Sequence, residues 1–179
     1  MVQMRVVRSP HAHAAITGID VSAARSAPGV LAVYTAADVK PLVGAPIPVT
    51  NAFVPNKKQV PDQFPIAEGE VVYQGEPVAI VVAASSYEAY DAAQLVVVDY
   101  DELPAVMDLE KAMEQGSPLV ARGRPDNIGW DTEFPGGDIE AAFAEAEVVV
   151  KERITQQRVF PVPMEGRACI AEFDSYDNR

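Results

Sequence analysis

Residues 71–103 contain a strand–helix–strand pattern that constrains the fold more than any other stretch. An apolar run over 77–84 predicts a buried strand, and the next four residues, 85–88, read Ser-Ser-Tyr-Glu, which is the Ser-x-x-Glu pattern of a helix capping box. The helix that follows carries small residues on one stripe, so it can lie close to a sheet. Its stripe consists of Ala89, Ala92, Ala93 and Val96. Valines 96–98 then resume a strand, and this order favours a parallel strand pair joined by a right-handed crossover.

The rest of the chain predicts short elements of both kinds, and therefore an α+β fold. The predicted strands are 3–8, 12–19, 30–34, 71–73, 148–159 and 167–173. The predicted helices are 21–26 capped by Asp20, one turn opened by Thr35-x-x-Asp38, 109–115 capped by Asp108, and a last helix capped by Asp138. That last helix places Ile139, Ala142, Phe143 and Ala146 on one stripe.

Residues 41–65 hold six prolines, which exclude a helix and disfavour a central strand. We predict a long surface loop there. Loops of this length in compact domains are usually functional or mobile. If the domain packs against a larger body, we expect this loop to make the contact.

Composition narrows the function classes. Of the 179 residues, 49% are hydrophobic and 22% charged, an ordinary globular mixture. The net charge of −12, from 26 acids and 14 bases, repels nucleic acid and anionic membranes and leaves small molecules and proteins as partners. No apolar run approaches 18 residues, and no signal-peptide core is visible near Met1, so we expect a cytoplasmic protein.

The acids concentrate in residues 66–115, which carry eleven acids and one base, Lys111. A solvated outer face and a docking face for a basic partner both fit this pattern.

The two histidines, His11 and His13, are a candidate metal pair. On an extended chain, residues two apart face the same side, and two imidazoles could bind zinc or copper with a third ligand. The nearest carboxylate in sequence is Asp20. The alternative is a strand end with two partly buried, hydrogen-bonded histidines.

Other candidate groups also have simpler interpretations. Asp99 and Asp101, with Glu102 beside them, could do acid–base work, but acids closing an exposed strand end are commoner. Gly136-Gly137-Asp138 precedes a helix where a phosphate could bind, but the P-loop lysine is missing and Asp138 would repel the anion.

Cys169, the one cysteine, lies in the apolar run Ala168-Cys169-Ile170 and is interpreted as a small buried hydrophobe. A carrier-type lysine is the remaining alternative, but Lys57-Lys58 lacks a Met-Lys-Met setting. The residues alone therefore predict no catalytic, cofactor-binding or metal site.

Five segments, in order, resemble the large, molybdenum-binding subunit of the xanthine dehydrogenase, aldehyde oxidase and carbon monoxide dehydrogenase family. They are Arg8-Ser9-Pro10-His11-Ala12-His13-Ala14 with Ile19-Asp20; Pro28-Gly29-Val30 leading to Ala37-Asp38-Val39; Tyr73-Gln74-Gly75-Glu76-Pro77-Val78-Ala79; Ala89-Tyr90-Asp91-Ala92-Ala93 with Val98-Asp99-Tyr100-Asp101-Glu102-Leu103-Pro104; and Arg158-Val159-Phe160-Pro161-Val162-Pro163-Met164-Glu165-Gly166-Arg167.

The resemblance implies an α/β-hammerhead domain over residues 1–115, a linker with a short helix over 116–145, and the start of the first molybdopterin-binding domain over 146–179. The sequence of residues 161–167 is similar to that found in the carbon monoxide dehydrogenase-like branch of the family. That branch implies a parent enzyme with molybdenum on molybdopterin cytosine dinucleotide, an iron–sulfur subunit and an FAD subunit. It would oxidise carbon monoxide, an aldehyde or an N-heterocycle with water as the oxygen source.

The departures from the family pattern define what we expect of these 179 residues. The family's glutamine loop, active-site cysteine loop and distal glutamate have no counterpart here, and Glu165 with Arg167 is interpreted as scaffold. We therefore expect a chain that is inert alone and acts in packing and subunit assembly. The alternative is a free-standing hammerhead module that binds a partner without enzyme activity. A strand at 148–159 without its neighbours would expose an edge and could pair with a second copy.

Overall fold

The computed structural model describes residues 1–47, 63–129, 131, 133–157, 159, 164–165, 168–173 and 176. The chain forms two compact units, Met1–Phe134 and Pro135–Arg179. Each unit is described by itself below. None of the helices in the described ranges is long and apolar enough to cross a membrane.

The described residues of unit 1 form two three-stranded sheets and four helices. Its strands are β1 (Gln3–Arg8), β2 (Ala14–Asp20), β3 (Val30–Thr35), β4 (Glu70–Val71), β5 (Pro77–Ala83) and β6 (Val97–Glu102). Its helices are α1 (Ser22–Arg25), α2 (Ala36–Val43), α3 (Ser86–Ala93) and α4 (Leu109–Ala112). Strands and short helices thus alternate along the chain, which confirms the predicted α+β class.

The first sheet has the order β1-β5-β3 and the second the order β4-β2-β6, and every strand pair is antiparallel. The predicted parallel pair of the strands flanking α3 is therefore wrong. Helix α3 leads from β5 in the first sheet to β6 in the second, where Tyr100 pairs with Ile16 of β2. The predicted strand–helix–strand order is confirmed, but this order does not determine which sheet the second strand joins.

Helix α3 forms as its sequence predicts. The Ser85 hydroxyl accepts a hydrogen bond from the Glu88 N–H at 3.3 Å and donates one to the Glu88 carboxylate at 2.8 Å. Ala89, Ala92 and Ala93 are buried, so the small-residue stripe does face the protein. With α1, this helix covers one face of the first sheet, and the core there includes Val21, Ala24, Val33, Val81, Ala92 and Ala93.

A second core lies between the start of β2, strand β4 and strand β5. It consists of Ala14, Ala67, Val71 and Val78, with Val7, Ile16, Val98 and Tyr100 packed against it. This core joins the two sheets, because its members come from strands of both.

Helix α2 is longer than the single turn predicted, and it runs through Pro41 into the range where we excluded a helix. The Asp38 carboxylate starts it by accepting the Thr35 N–H at 2.8 Å and the Thr35 hydroxyl at 2.9 Å. Proline removes one helical hydrogen bond, and the helix ends shortly afterwards at Gly44, whose φ is 67°. Within the proline-rich range, Ile47 and Gln63 form an isolated antiparallel bridge. Residues 48–62 of the predicted loop lie outside the described residues.

Unit 2 contains one helix, α5 (Ile139–Glu145), among its described residues. Asp138 caps it as predicted, with its carboxylate accepting the Ala141 N–H at 2.9 Å. The apolar stripe of this helix is not covered, since Ile139 and Phe143 are 59% and 62% exposed. No described residue from 135 onward is buried.

The strands predicted in unit 2 are wrong for the part that the structure describes. Residues 148–157 and 168–173 belong to no strand, and their side chains are exposed. Alternating sequence can suggest a strand, but it cannot supply the neighbouring strand that the hydrogen bonds require. Cys169 is exposed rather than buried for the same reason, because no sheet forms around it.

Candidate functional site

A buried polar cluster around His13 is the most developed site-like feature of unit 1. His13 is 8% exposed and lies just before β2. Its Nδ1 is 2.8 Å from the Pro104 carbonyl oxygen, and its Nε2 is 2.9 Å from Glu70 Oε1. The segment after β6 and strand β4 thus both meet at one imidazole.

Glu70 extends this cluster to a fourth segment. Its side chain is 14% exposed, and its Oε2 accepts the Arg122 N–H at 3.0 Å, while Arg122 Nε lies 3.7 Å from Oε1. Glu70 also pairs with Ala15 in the ladder between β4 and β2. The His13–Glu70 pair therefore holds residues 13, 70, 104 and 122 together, which is a structural task.

His11 has different partners. Its Nδ1 is 3.3 Å from Glu102 Oε1, and its ring centroid is 4.8 Å from that of Tyr100. The predicted strand 12–19 begins only at Ala14, so the same-face argument for the two histidines does not apply.

Each histidine pairs with its own carboxylate, and the structure does not bring them together as a metal site. Asp20, the third ligand considered, lies at the far end of β2. Two hydrogen bonds from Ser22 lower the pKa of Asp20. The larger effect comes from the Ser22 side chain and the smaller from the Ser22 N–H, which is 2.8 Å from Asp20 Oδ1. Within the described ranges, no group of three His, Cys, Asp or Glu side chains could hold a metal ion.

The acids of β6 stay at the surface. Asp99, Asp101 and Glu102 are all exposed, and they pair with β2 at Gly18, Ala15 and Ala14. Gly18 leaves room for Asp99, since a Cβ there would lie 3.0 Å from Asp99 Oδ2. The arrangement matches acids that close an exposed strand end.

Glu76 is a group that the sequence reasoning missed. Burial raises the pKa of the Glu76 carboxyl, and the nearby Glu70 raises it further. Hydrogen bonds from the N–H groups of Val72, at 2.6 Å, and Tyr73 lower it in part. The Glu76 carbonyl accepts the Ser9 N–H at 2.9 Å, and the Ser9 carbonyl accepts the Gly75 N–H at 2.8 Å. The Gly75-Glu76 turn signal could have suggested this role in closing the 72–76 turn.

The start of α5 does not fit an anionic cofactor. The Asp138 carboxylate already takes the first-turn N–H of Ala141, and its charge would repel a phosphate. Glu165 and Cys169 are exposed. Lys57, Lys58 and Arg167 lie outside the described residues.

Two family models match the chain in sequence order. One, described as aldehyde oxidase and xanthine dehydrogenase, a/b hammerhead domain, matches residues 1–104. The other, described as molybdopterin cofactor-binding domain, matches residues 120–179.

Curated relatives agree with these matches. The chain is 40% identical to the carbon monoxide dehydrogenase large chain of Afipia carboxidovorans, over 94% of this chain and 21% of that protein. It is 39% identical to the nicotine 6-hydroxylase large subunit of Paenarthrobacter nicotinovorans, over 97% of this chain and 21% of that protein. The chain thus spans about a fifth of the length of these relatives.

Solved structures lead to the same family. The fold superposes on quinoline 2-oxidoreductase from Pseudomonas putida 86 with a TM-score of 0.72 and 36% identity, covering 84% of this chain and 19% of that one. It superposes on the Cu,Mo-CO dehydrogenase with a TM-score of 0.66 and 39% identity, covering 83% and 19%. The chain therefore belongs to the aldehyde oxidase and xanthine dehydrogenase family, as part of a molybdenum hydroxylase large subunit.

Proposed function

We propose that these residues are the non-catalytic, N-terminal part of a molybdenum hydroxylase large subunit and act in packing and subunit assembly. The observation that carries the proposal is the order of the two family matches, a hammerhead domain followed by a molybdopterin cofactor-binding domain, in a chain a fifth as long as its relatives. On this proposal, 1–115 is the hammerhead domain, 116–145 a linker and 146–179 the start of the cofactor domain.

The contacts of the titratable groups support a structural role. His13 and Glu70 satisfy each other and two backbone groups, and Glu76 accepts hydrogen bonds within its own turn. Groups held in this way fix chain segments relative to one another, and these contacts are all with groups of the protein.

The parent enzyme of this proposal binds molybdenum on molybdopterin cytosine dinucleotide in residues beyond this chain. It works in the cytoplasm with iron–sulfur and FAD subunits, and oxidises carbon monoxide, an aldehyde or an N-heterocycle. Support comes from the cofactor-domain match and from relatives whose names include carbon monoxide dehydrogenase and nicotine 6-hydroxylase. The likeness of 161–167 to the carbon monoxide dehydrogenase branch supports the cytosine form.

The test is to express the whole large subunit with its partner subunits and compare His13→Ala with His11→Ala. We expect His13→Ala to reduce the amount of assembled complex, because it removes a buried link, whereas His11→Ala has little effect. Turnover per bound molybdenum, measured by dye reduction with the three substrate classes, should be unchanged in whatever complex assembles. A His13→Ala complex that assembles with full molybdenum but turns over much more slowly would contradict a non-catalytic role.

The second candidate is a free-standing hammerhead module that binds a partner. The acids at the surface of β6 favour it, because Asp99, Asp101 and Glu102 form an exposed face suited to a basic protein. On that hypothesis, the 179-residue chain would capture a basic partner in a salt-sensitive manner, and no molybdenum would accompany it.

A further inference from the structure

The open face of the first sheet carries two apolar rows that run across all three of its strands. The register pairs Met4 with Val82 and Val82 with Ala32, and it pairs Val6 with Ile80 and Ile80 with Tyr34. Residues paired in a ladder point to the same side of a sheet. We call this set the open face: Met4, Val6, Ala32, Tyr34, Ile80 and Val82.

Helices α1 and α3 cover the opposite face, not this one. Arg5 and Val81 alternate with the open-face residues, and the Arg5 guanidinium lies 5.0 Å from the Tyr90 ring centroid on α3, while Val81 is buried against Ala92 and Ala93. On the open face, Met4 is 55% exposed and Tyr34 41%, and the other four residues are only partly buried. Val78 lies on the same side of β5 as Ile80 and Val82 but is fully buried in the second core. The second sheet therefore covers that end of this side, and the open face is the part beyond it that the described residues leave partly exposed.

The composition of the open face resembles that of a hydrophobic core rather than that of an ordinary surface. None of its six side chains is charged, in a chain whose net charge is −12. Surfaces that meet other proteins transiently are about as polar as the rest of the surface, whereas permanent interfaces are more apolar. The uncharged open face is closer in composition to an interface of the second kind.

We propose that the open face is covered by the remainder of the same large-subunit polypeptide, the part that follows residue 179. This inference rests on the proposed function. About four-fifths of the length of each of these relatives lies outside the matched region, so on the proposed function the subunit contains a large body of polypeptide besides this chain. Covalent linkage also raises the effective concentration of that part at the open face above that of any separate subunit.

Met4 and Tyr34 are native reporters for hydroxyl-radical footprinting, since both side chains react readily when exposed. The experiment compares three samples, namely the 179-residue chain, the whole large subunit alone, and the complete complex. We expect Met4 and Tyr34 to be modified about tenfold more slowly in the large subunit alone than in the 179-residue chain, because an interface buries them. Tyr87, which is 83% exposed on α3, is the control and should react at a similar rate in the first two samples.

Each other outcome overturns the proposal. Equal rates at Met4 and Tyr34 in the chain and the large subunit would mean that nothing in the subunit covers the open face. Protection that appears only in the complete complex would assign the face to another subunit. Protection in the 179-residue chain that grows with concentration would assign it to a second copy. Footprinting measures only whether the open face is covered. Its result is therefore independent of turnover per bound molybdenum, which tests the proposed function.

A substitution gives a second readout that does not depend on labelling. Tyr34→Thr keeps a residue suited to a strand but removes the ring from the open face. We expect it to lower the melting temperature of the whole large subunit clearly more than that of the 179-residue chain. An equal shift in both proteins would mean that the ring packs against nothing outside these residues, which would overturn the proposal.

Discussion

The imidazole of His13 lies between two hydrogen-bond acceptors, the Pro104 carbonyl oxygen at 2.8 Å from Nδ1 and Glu70 Oε1 at 2.9 Å from Nε2. Neither acceptor can be replaced by water easily, because His13 is 8% exposed and Glu70 14%. This one side chain connects the start of β2 with strand β4 and with the segment that follows β6. Two residues away, His11 makes a similar pair with Glu102, but that carboxylate is 77% exposed.

The His13–Glu70 and His11–Glu102 pairs allow a matched test of how burial affects the contribution of such a pair to stability. Glu70→Ala leaves His13 Nε2 and the Arg122 N–H without their partner, and we expect it to reduce the free energy of unfolding by about 1–3 kcal/mol. Glu102→Ala removes only the exposed contact between this carboxylate and His11 and should cost about 0–1 kcal/mol. Urea unfolding followed by far-ultraviolet circular dichroism measures both. Equal losses in the two variants would mean that the His13 cluster does not support the fold.

Glu76 predicts a pH dependence of stability. Because burial raises its pKa, the folded state holds this proton more tightly than the unfolded state does. The group's contribution to stability is therefore greatest below the ordinary value of 4.5 and is lost as the pH rises through the raised pKa.

Glu76→Gln keeps an acceptor for the Val72 N–H but cannot ionise. We expect the unfolding free energy of this variant, relative to the native protein, to increase as the pH rises from below the ordinary value of 4.5 through the raised pKa of Glu76. Glu114→Gln, at an exposed site after α4, is the control for the removal of one negative charge. A difference between Glu76→Gln and the native protein that stays constant with pH would contradict the predicted direction.

Gly29 and Gly44 form a second matched pair. Both have a positive φ, 73° and 67°, so alanine is strained at either position. A Cβ on Gly29 would also lie 2.1 Å from Glu88 Cδ, whereas nothing lies within 4 Å of a Cβ on Gly44. Glu88 can move aside, but it would then lose its hydrogen bond from the Ser85 hydroxyl.

We therefore expect Gly29→Ala to cost about 0.5–1.5 kcal/mol more than Gly44→Ala, the value of one hydrogen bond. In a Glu88→Ala background this extra cost should vanish, because the clashing group is gone. Thermal or urea unfolding of the five variants completes the cycle. An extra cost that persists without the Glu88 carboxylate would show that the clash is not its origin.

Much of unit 1 was predictable because its signals are local. The Ser85-to-Glu88 cap, the alanine stripe of α3 and the strand at 77–83 depend on neighbours a few residues apart. Strand pairing is different, since β6 joins β2 across about eighty residues and nothing near Val97 specifies that partner. His13 and Pro104 are 91 residues apart, so the sequence suggested hydrogen-bonded histidines but could not identify their acceptors.

Unit 2 shows where periodicity misleads. Val148 to Ile154 alternates as strands do, and Ile139 with Phe143 forms a helical stripe, yet all these side chains are exposed in the structure. A periodic pattern records which face a residue is suited to bury, and burial itself requires a second surface. The prediction that Cys169 is buried is wrong for the same reason, since it rests on the apolar residues beside it.

The most direct test of the account is the intact mass and molybdenum content of the native protein that contains this sequence, purified from its source. The account predicts a polypeptide about five times the length of these 179 residues, as expected from the 21% coverage of relatives, with one molybdenum per polypeptide. A native polypeptide of 179 residues without molybdenum would contradict it and leave the free-standing binding module.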